Sequence, residues 1–321
     1  MHNKRRKTFI SDCLLPRSTA EIYLFVKVIF SMSENPRETE PKPPFPEQPQ
    51  NPPGSEAAMT PAPDYGDATY RGSSRLLGKT AIVTGGDSGI GRAVALAFAR
   101  EGADVVISYL NEEEDARETM RIVGAAGRRA VLIPGDISDE SHCLEIVERA
   151  FQEFGKLDIL VNNAAFQMTH ESITELSSEE FDHTFKTNIY AMFYLCKAAL
   201  PRMEAGSTII NVASIQAYNP DPKLLAYAST KGAIVTFSKA LNQEAMQKGV
   251  RVNVVAPGPV WTPLIPSTMP DEKVKTFGQD TPIGRAAQPA ELAPLFVFLA
   301  SQESSYIGGE VVGVTGGKPL P

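Results

Sequence analysis

From Leu77 to the C-terminus, short runs of β-branched and aliphatic residues alternate with longer stretches whose apolar positions recur every three or four residues. Runs of the first kind suit strands and the second suit helices. Their regular alternation is the signature of a parallel sheet covered by helices on both faces. Seven strands are predicted, at 80–83, 104–109, 129–133, 157–161, 208–212, 251–255 and 310–314. The first helix begins near Gly89 and carries Ile90, Val94 and Phe98 on one stripe. Segments 178–203 and 224–248 read as long helices with broad apolar faces, the kind that subunit contacts bury.

The chain ahead of Leu77 lacks this pattern. Ten prolines fall between Pro36 and Pro63 with few apolar residues among them, so residues 1–76 are expected to be an extension, mostly disordered or extended until something docks it. It is expected to lie along the domain surface or to reach a neighbouring subunit. Lys4, Arg5, Arg6 and Lys7 followed by the apolar run 22–30 superficially resemble a secretion signal, but the run is nine residues long and contains Lys27. That is too short to span a bilayer and poorly built for export. Residues 1–31 read instead as lying upstream of a true start at Met32. About 250 residues remain for one domain, 77–321.

Composition narrows the chemistry. Hydrophobic residues make up 42% of the chain and the net charge is -7, which supports a sizeable core and argues against a nucleic-acid surface. Cys13, Cys143 and Cys196 have no paired spacing, and four histidines form no zinc pattern. No metal site or membrane anchor is expected, and a cytoplasmic location fits best. Cys196 shares a helical stripe with Phe181, Phe185, Ile189 and Met192 and reads as core.

Two features carry chemistry. Thr84-Gly85-Gly86-Asp87-Ser88-Gly89-Ile90-Gly91 leaves the first strand and opens the first helix, where amides and the positive helix end favour a pyrophosphate. Further on, Ser214 precedes Tyr227-Ala-Ser-Thr-Lys231. Spacing of four on a helix puts the phenol and the ammonium on one face. A tyrosine ordinarily ionises near pH ~10, so using it as a base at neutrality requires a change worth roughly 4 kcal/mol, and a fixed cation supplies that kind of change.

These segments, with Gly135-Asp136-Ile137, Asn162-Asn163-Ala164-Ala165, Asn188, and Pro257-Gly258-Pro259 with Thr262 in the same order, resemble the short-chain dehydrogenase/reductase family. The wording of the glycine turn, the Ser214-Ile-Gln-Ala-Tyr218 run and the proline-rich preface are similar to a bacterial general-stress oxidoreductase subgroup, over residues 33–321. The resemblance implies a single Rossmann-like, three-layer, doubly wound α/β domain with a seven-stranded parallel sheet. It implies NAD(P)-dependent interconversion of an aldehyde or ketone with an alcohol. Tyr227 would be the acid/base, Lys231 its cationic neighbour and ribose ligand, Ser214 the substrate-oxygen ligand, and Asn188 part of a water-linked proton path. Cofactor contacts are implied at Gly85, Asp87, Ser88, Gly89, Ile90, Gly91, Tyr109, Asp136, Ile137, Asn163, Ala164, Tyr227, Lys231, Pro257, Gly258, Val260 and Thr262. Ala165 stands where the family usually has glycine, so the backbone there is expected to shift slightly. Relatives commonly form homotetramers through the helices at 178–203 and 224–248.

The second strand ends Ser108-Tyr109-Leu110-Asn111 without the acidic residue that normally holds the ribose of NAD. No basic partner for a 2′-phosphate is evident except Arg92, for which a surface or core role is as plausible, so dual or NADP-leaning use is expected. A lid at about 263–285, with prolines and exposed apolar groups, is expected to cover the substrate. Gln216 reads either as a substrate contact or as a solvated loop residue. A sugar or polyol dehydrogenase of the same family is the alternative activity, and a catalytically silent nucleotide sensor is the alternative from another class.

Overall fold

Seven strands form one sheet in the computed structural model, which describes residues 35–321. The basic cluster at 4–7, Cys13, the run 22–30 and Met32 lie outside the described residues. Residues 35–39 belong to a separate unit, where they form a turn with Glu38 N–H donating to Asn35 O at 2.8 Å. The second unit, Glu40–Pro321, contains the sheet.

The strands are β1 (Thr80–Thr84), β2 (Asp104–Tyr109), β3 (Ala130–Pro134), β4 (Ile159–Asn162), β5 (Thr208–Val212), β6 (Arg251–Pro257) and β7 (Val311–Val314). Their order is β3-β2-β1-β4-β5-β6-β7, and every neighbouring pair is parallel. The chain thus runs outward through β2 and β3, then returns to place β4 beside β1, with Val83 paired to both Ile107 and Val161. That reversal opens a crevice at the carboxyl ends of the strands, the usual place for a ligand in such sheets.

Alternation along each strand divides the core. Ala81, Val83, Val105, Ile107, Ile159 and Val161 face α1 (Gly89–Arg100), α2 (Glu113–Ala125) and α9 (Pro289–Ala300). Ile82, Val106, Leu160, Ile209, Val252 and Val254 face α3 (Glu140–Phe154), α5 (Ala191–Ala199) and α6 (Leu225–Ala245). Local signals fix the helix ends. Asp139 caps α3 by accepting from Ser141 N–H at 2.8 Å, and Gly155 closes that helix at φ 77°. The segment expected as one helix over 178–203 is α4 (Ser178–Phe185), a π-helical turn Lys186–Tyr190, and α5. One extra residue in that turn brings Asn188 inward, to 3% exposure.

Two regions close the crevice. After β6 the chain forms the short helices α7 (Leu264–Thr268) and α8 (Asp271–Lys275). Ahead of β1, residues 40–76 run without strands and with one 3-10 turn, Glu56–Ala58. Phe45 and Met59 from this segment join Trp261, Ile265, Val274 and Ala286 in a third buried cluster. The apolar groups expected to be exposed on the lid are therefore covered. Ile265 is 6% exposed and Val274 fully buried, because the proline-rich segment supplies the apolar partners that the lid alone lacks.

Candidate active site

The glycine turn forms because β1 must reverse into α1 within a few residues. Gly85 and Gly89 take φ of 58° and 50°, which glycine adopts without the steric cost other residues meet. At Gly91 a Cβ would lie 1.8 Å from Gly85 O, so the turn closes against the bare backbone of the helix. Thr84 ties this turn to β4: its Oγ1 accepts from Asn163 N–H at 3.0 Å and from Ala164 N–H at 3.1 Å. Asn163 Nδ2 returns hydrogen bonds to Thr84 O and Gly85 O at 3.0 and 3.1 Å. Ala165 adopts no left-handed backbone, since Ser74 is the only non-glycine residue with positive φ among the described residues.

A cleft of about 470 Å³ runs from this turn to α6. It is lined by Gly85, Asp87, Ser88, Gly89 and Ile90 at the turn, by Tyr109, Asp136 and Ile137 at the ends of β2 and β3, and by Asn163 and Ala164 after β4. Pro257, Gly258, Val260 and Thr262 after β6 complete that side, while Ser214, Gln216, Tyr227 and Lys231 line the other end. Gly91 and Asn188 are the two expected site residues that do not line it. Gly91 shapes the turn from behind. Asn188 Oδ1 accepts from Phe166 N–H at 2.8 Å, and its Nδ2 donates to Phe166 O and Thr230 Oγ1 at 2.9 and 3.0 Å. Its side chain thus fixes the loop after β4 to the residue beside Lys231.

Lys231 is 1% exposed, and its Nζ donates to Val212 O at 2.8 Å while lying 5.1 Å from the centre of the Tyr227 ring. One of its three donors is thereby used. Burial brings the ammonium down to about 7. Burial also pushes the half-buried Tyr227 hydroxyl up to about 12, against a smaller downward pull from its hydrogen bond with Ser214. Desolvation thus dominates at this phenol, the hydrogen bond with Ser214 being the one influence that lowers it, and the phenol rests in its neutral, proton-donating form. Ser214 Oγ accepts from Gln216 N–H at 3.2 Å, and Gln216 Oε1 accepts from Asp221 N–H at 2.6 Å, so Gln216 braces its own loop at the cleft wall.

The adenosine end is acidic. Asp87 is 4% exposed and its carboxyl is pushed up to about 7, by burial first and by Glu112 second. Arg92 has a core role: it reaches Asp87 O, Thr119 Oγ1, Glu56 Oε1 and Asp115 Oδ1 at 2.9, 3.1, 2.5 and 2.9 Å. The cleft nevertheless fits a dinucleotide, because a glycine-rich turn presents the N-terminus of α1 and a slot leads from Ile137 to the Ser214, Tyr227 and Lys231 cluster.

Several lining residues carried no motif. Gln167, 3% exposed, donates from Nε2 to Thr268 Oγ1 at 2.9 Å and so joins the loop after β4 to the lid. Phe166, His183, Met269 and Phe277 line the same end, and Pro52 and Pro53 complete the wall. The proline run was the single signal for the last two.

Residues 85–318 match the family model described as enoyl-(acyl carrier protein) reductase. General stress protein 39 of Bacillus subtilis is 51% identical over 83% of this chain and 93% of its own length. Glucose and ribitol dehydrogenase of Daucus carota is 44% identical over 85% and 96%. Among solved structures, a short chain dehydrogenase from Burkholderia cenocepacia in complex with NADP superposes with a TM-score of 0.71 at 32% identity, covering 76% of this chain and 98% of that one.

Proposed function

The chain belongs to the short-chain dehydrogenase/reductase family of oxidoreductases, and we propose that it is a cytoplasmic, NAD(P)-dependent, NADP-leaning reductase of aldehydes or ketones that also runs in reverse on the alcohol. The observation that carries this reading is that Ser214, Tyr227 and Lys231 line the same cleft as the glycine turn.

When bound, the nicotinamide supplies the hydride or accepts it. Ser214 offers a neutral hydroxyl to hold the substrate oxygen. Tyr227, neutral at pH 7 as any tyrosine is and pushed further up, to about 12, by burial, gives a proton to the oxygen of a carbonyl as it is reduced. Lys231, held by Val212 O, retains donors for the cofactor ribose and stands close enough to stabilise the phenolate left behind. Asn188 positions the loop at Phe166 and the Thr230 hydroxyl. Gly85 to Gly91 would hold the pyrophosphate, Asp136 and Ile137 the adenine, Asn163 and Ala164 the ribose, and Thr262 the carboxamide. The NADP lean is supported by the NADP complex of the Burkholderia relative; Asp87 and Glu112 oppose it unless protonation of Asp87 relieves them.

Around Tyr227 the wall mixes Phe166, Leu224, Met269 and Phe277 with Gln167 and Gln216, which supports a medium-sized carbonyl compound. The name of the carrot relative favours a second reading, a sugar or polyol dehydrogenase. Assaying NADPH and NADH oxidation against aldehydes and ketones, and the reverse reaction against sugars, separates the two; activity confined to free sugars defeats the first. Tyr227→Phe is expected to keep nucleotide affinity and to lose about 10²-fold or more in kcat. Equal rates in the two proteins defeat the mechanism and favour a nucleotide sensor.

A further inference from the structure

The mechanism leaves residues 45–61 without a task, yet they touch both the lid and the glycine turn. Phe45 lies flat on Trp261 with ring centroids 4.0 Å apart. Its N–H donates to Lys275 O and that of Gln50 to Pro266 O, both at 3.0 Å. Trp261 Nε1 donates to Pro61 O at 2.8 Å. Gly54 comes so near the lid that a Cβ there would lie 2.8 Å from Pro263 O.

The same segment sends Glu56, 4% exposed, to the start of α1. Its Oε2 accepts from Gly89 N–H at 2.5 Å and its Oε1 from Arg92 at 2.5 Å. Arg92 in turn holds Asp87 O within the turn and Asp115 in α2. A helix N-terminus presents unpaired N–H groups and partial positive charge. Glu56 satisfies one of those groups and balances the guanidinium in one stroke, so two cofactor-facing elements share a single anchor.

We propose that residues 45–61 form a clasp that positions the glycine turn and the lid together, with Glu56 as a positioning residue for nucleotide binding, acting through Gly89 and Arg92. This rests on the cleft being a dinucleotide site. A turn released from its anchor samples several geometries that binding must then freeze, which weakens affinity. By linkage, a nucleotide that prefers the anchored turn also holds the clasp down.

Trp261 is the single tryptophan of the chain, so its emission reports on both events. Full-length wild type, Glu56→Gln and Phe45→Leu are titrated with NADPH and NADH by Trp261 quenching, with the nucleotide-free thermal midpoint as a folding control. Hydrogen exchange over 45–61 is followed in the wild type with and without nucleotide. Glu56→Gln is expected to raise Kd and the KM for nucleotide at least about fivefold, the low end of ordinary coupling, with kcat within about twofold. Phe45→Leu is expected to raise Kd and shift Trp261 emission to longer wavelength, and bound nucleotide to slow exchange over 45–61. Wild-type binding with unslowed exchange over 45–61, or with Kd unchanged within about twofold in both variants, overturns the clasp alone. A wild type that binds neither nucleotide overturns the cofactor reading as well. Should Glu56→Gln fold poorly, the exchange measurement on unaltered protein decides.

Discussion

At the scale of single residues, burial rather than neighbouring charge sets the resting state of the site. With the Tyr227 hydroxyl up at about 12, the phenol stays protonated across neutral pH, which suits reduction. Oxidation needs the deprotonated form, so its kcat/KM is expected to rise steadily from pH about 7 to about 10, while that of reduction falls only at the alkaline end. A pH profile in both directions tests this, and a flat oxidation limb would remove Tyr227 as the base. Asp87 and Glu56 are both raised to about 7, from ordinary values of 3.8 and 4.5, chiefly by burial. Such carboxyls bind protons more tightly folded than unfolded, so the stability they lend is present below the unfolded values and lost as pH rises through about 7. Lys231, lowered to about 7, opposes this only above that pH. The nucleotide-free melting temperature is therefore expected to fall between pH about 5 and about 7, with a shallower slope in Asp87→Asn. Gly91→Ala places a Cβ 1.8 Å from Gly85 O and is expected to cost at least about 1–3 kcal/mol and to abolish measurable nucleotide binding.

Among elements, the third buried cluster joins the N-terminal segment to the catalytic domain. Phe45→Ala removes a ring that is 4% exposed and stacked on Trp261, and is expected to lower unfolding stability by about 3–5 kcal/mol in a denaturant titration. A loss below about 1 kcal/mol would mean that the segment lies on the domain without supporting it. The strands, the glycine turn and the Tyr227 and Lys231 pair were legible because each has a local signature: β-branched runs, glycines that only a close backbone approach demands, and helical spacing. The segment 40–76 has no period, and nothing along the chain announces that Glu56 will meet Gly89 and Arg92. Arg92 had two readings for that reason, since choosing between phosphate and carboxylate partners requires knowing which carboxylates arrive in space. The π-helical turn at Lys186–Tyr190 was equally hidden, because it adds one residue to a helix whose apolar stripe otherwise continues. That turn brings Asn188 inward, where its side chain holds Phe166 and Thr230, the residue beside Lys231.

For the whole molecule, the outer faces of α4, the π-helical turn, α5 and α6 leave Phe181, Tyr190, Phe193 and Leu225 between 37% and 43% exposed. Aromatic residues gathered on helices that already pack on the sheet suit contact with further copies. Light scattering is expected to give a tetramer, and Phe193→Glu to dissociate it; a wild-type monomer would reject this. No helix among the described residues is long and apolar enough to cross a membrane. The lid's covering has a further consequence for biosynthesis. Pro61 and Pro53 meet Trp261 and Ser267 across 200 and 214 positions of chain, so these contacts form only after the lid has been made, although Glu56 can reach Gly89 and Arg92 much earlier. Until the lid is made, Phe45 and Met59 have no apolar shelter, within a stretch otherwise polar and rich in proline. A chain that stopped before residue 261 would hold six of the seven strands yet leave Phe45 and Met59 without Trp261, Ile265, Val274 and Ala286 to cover them.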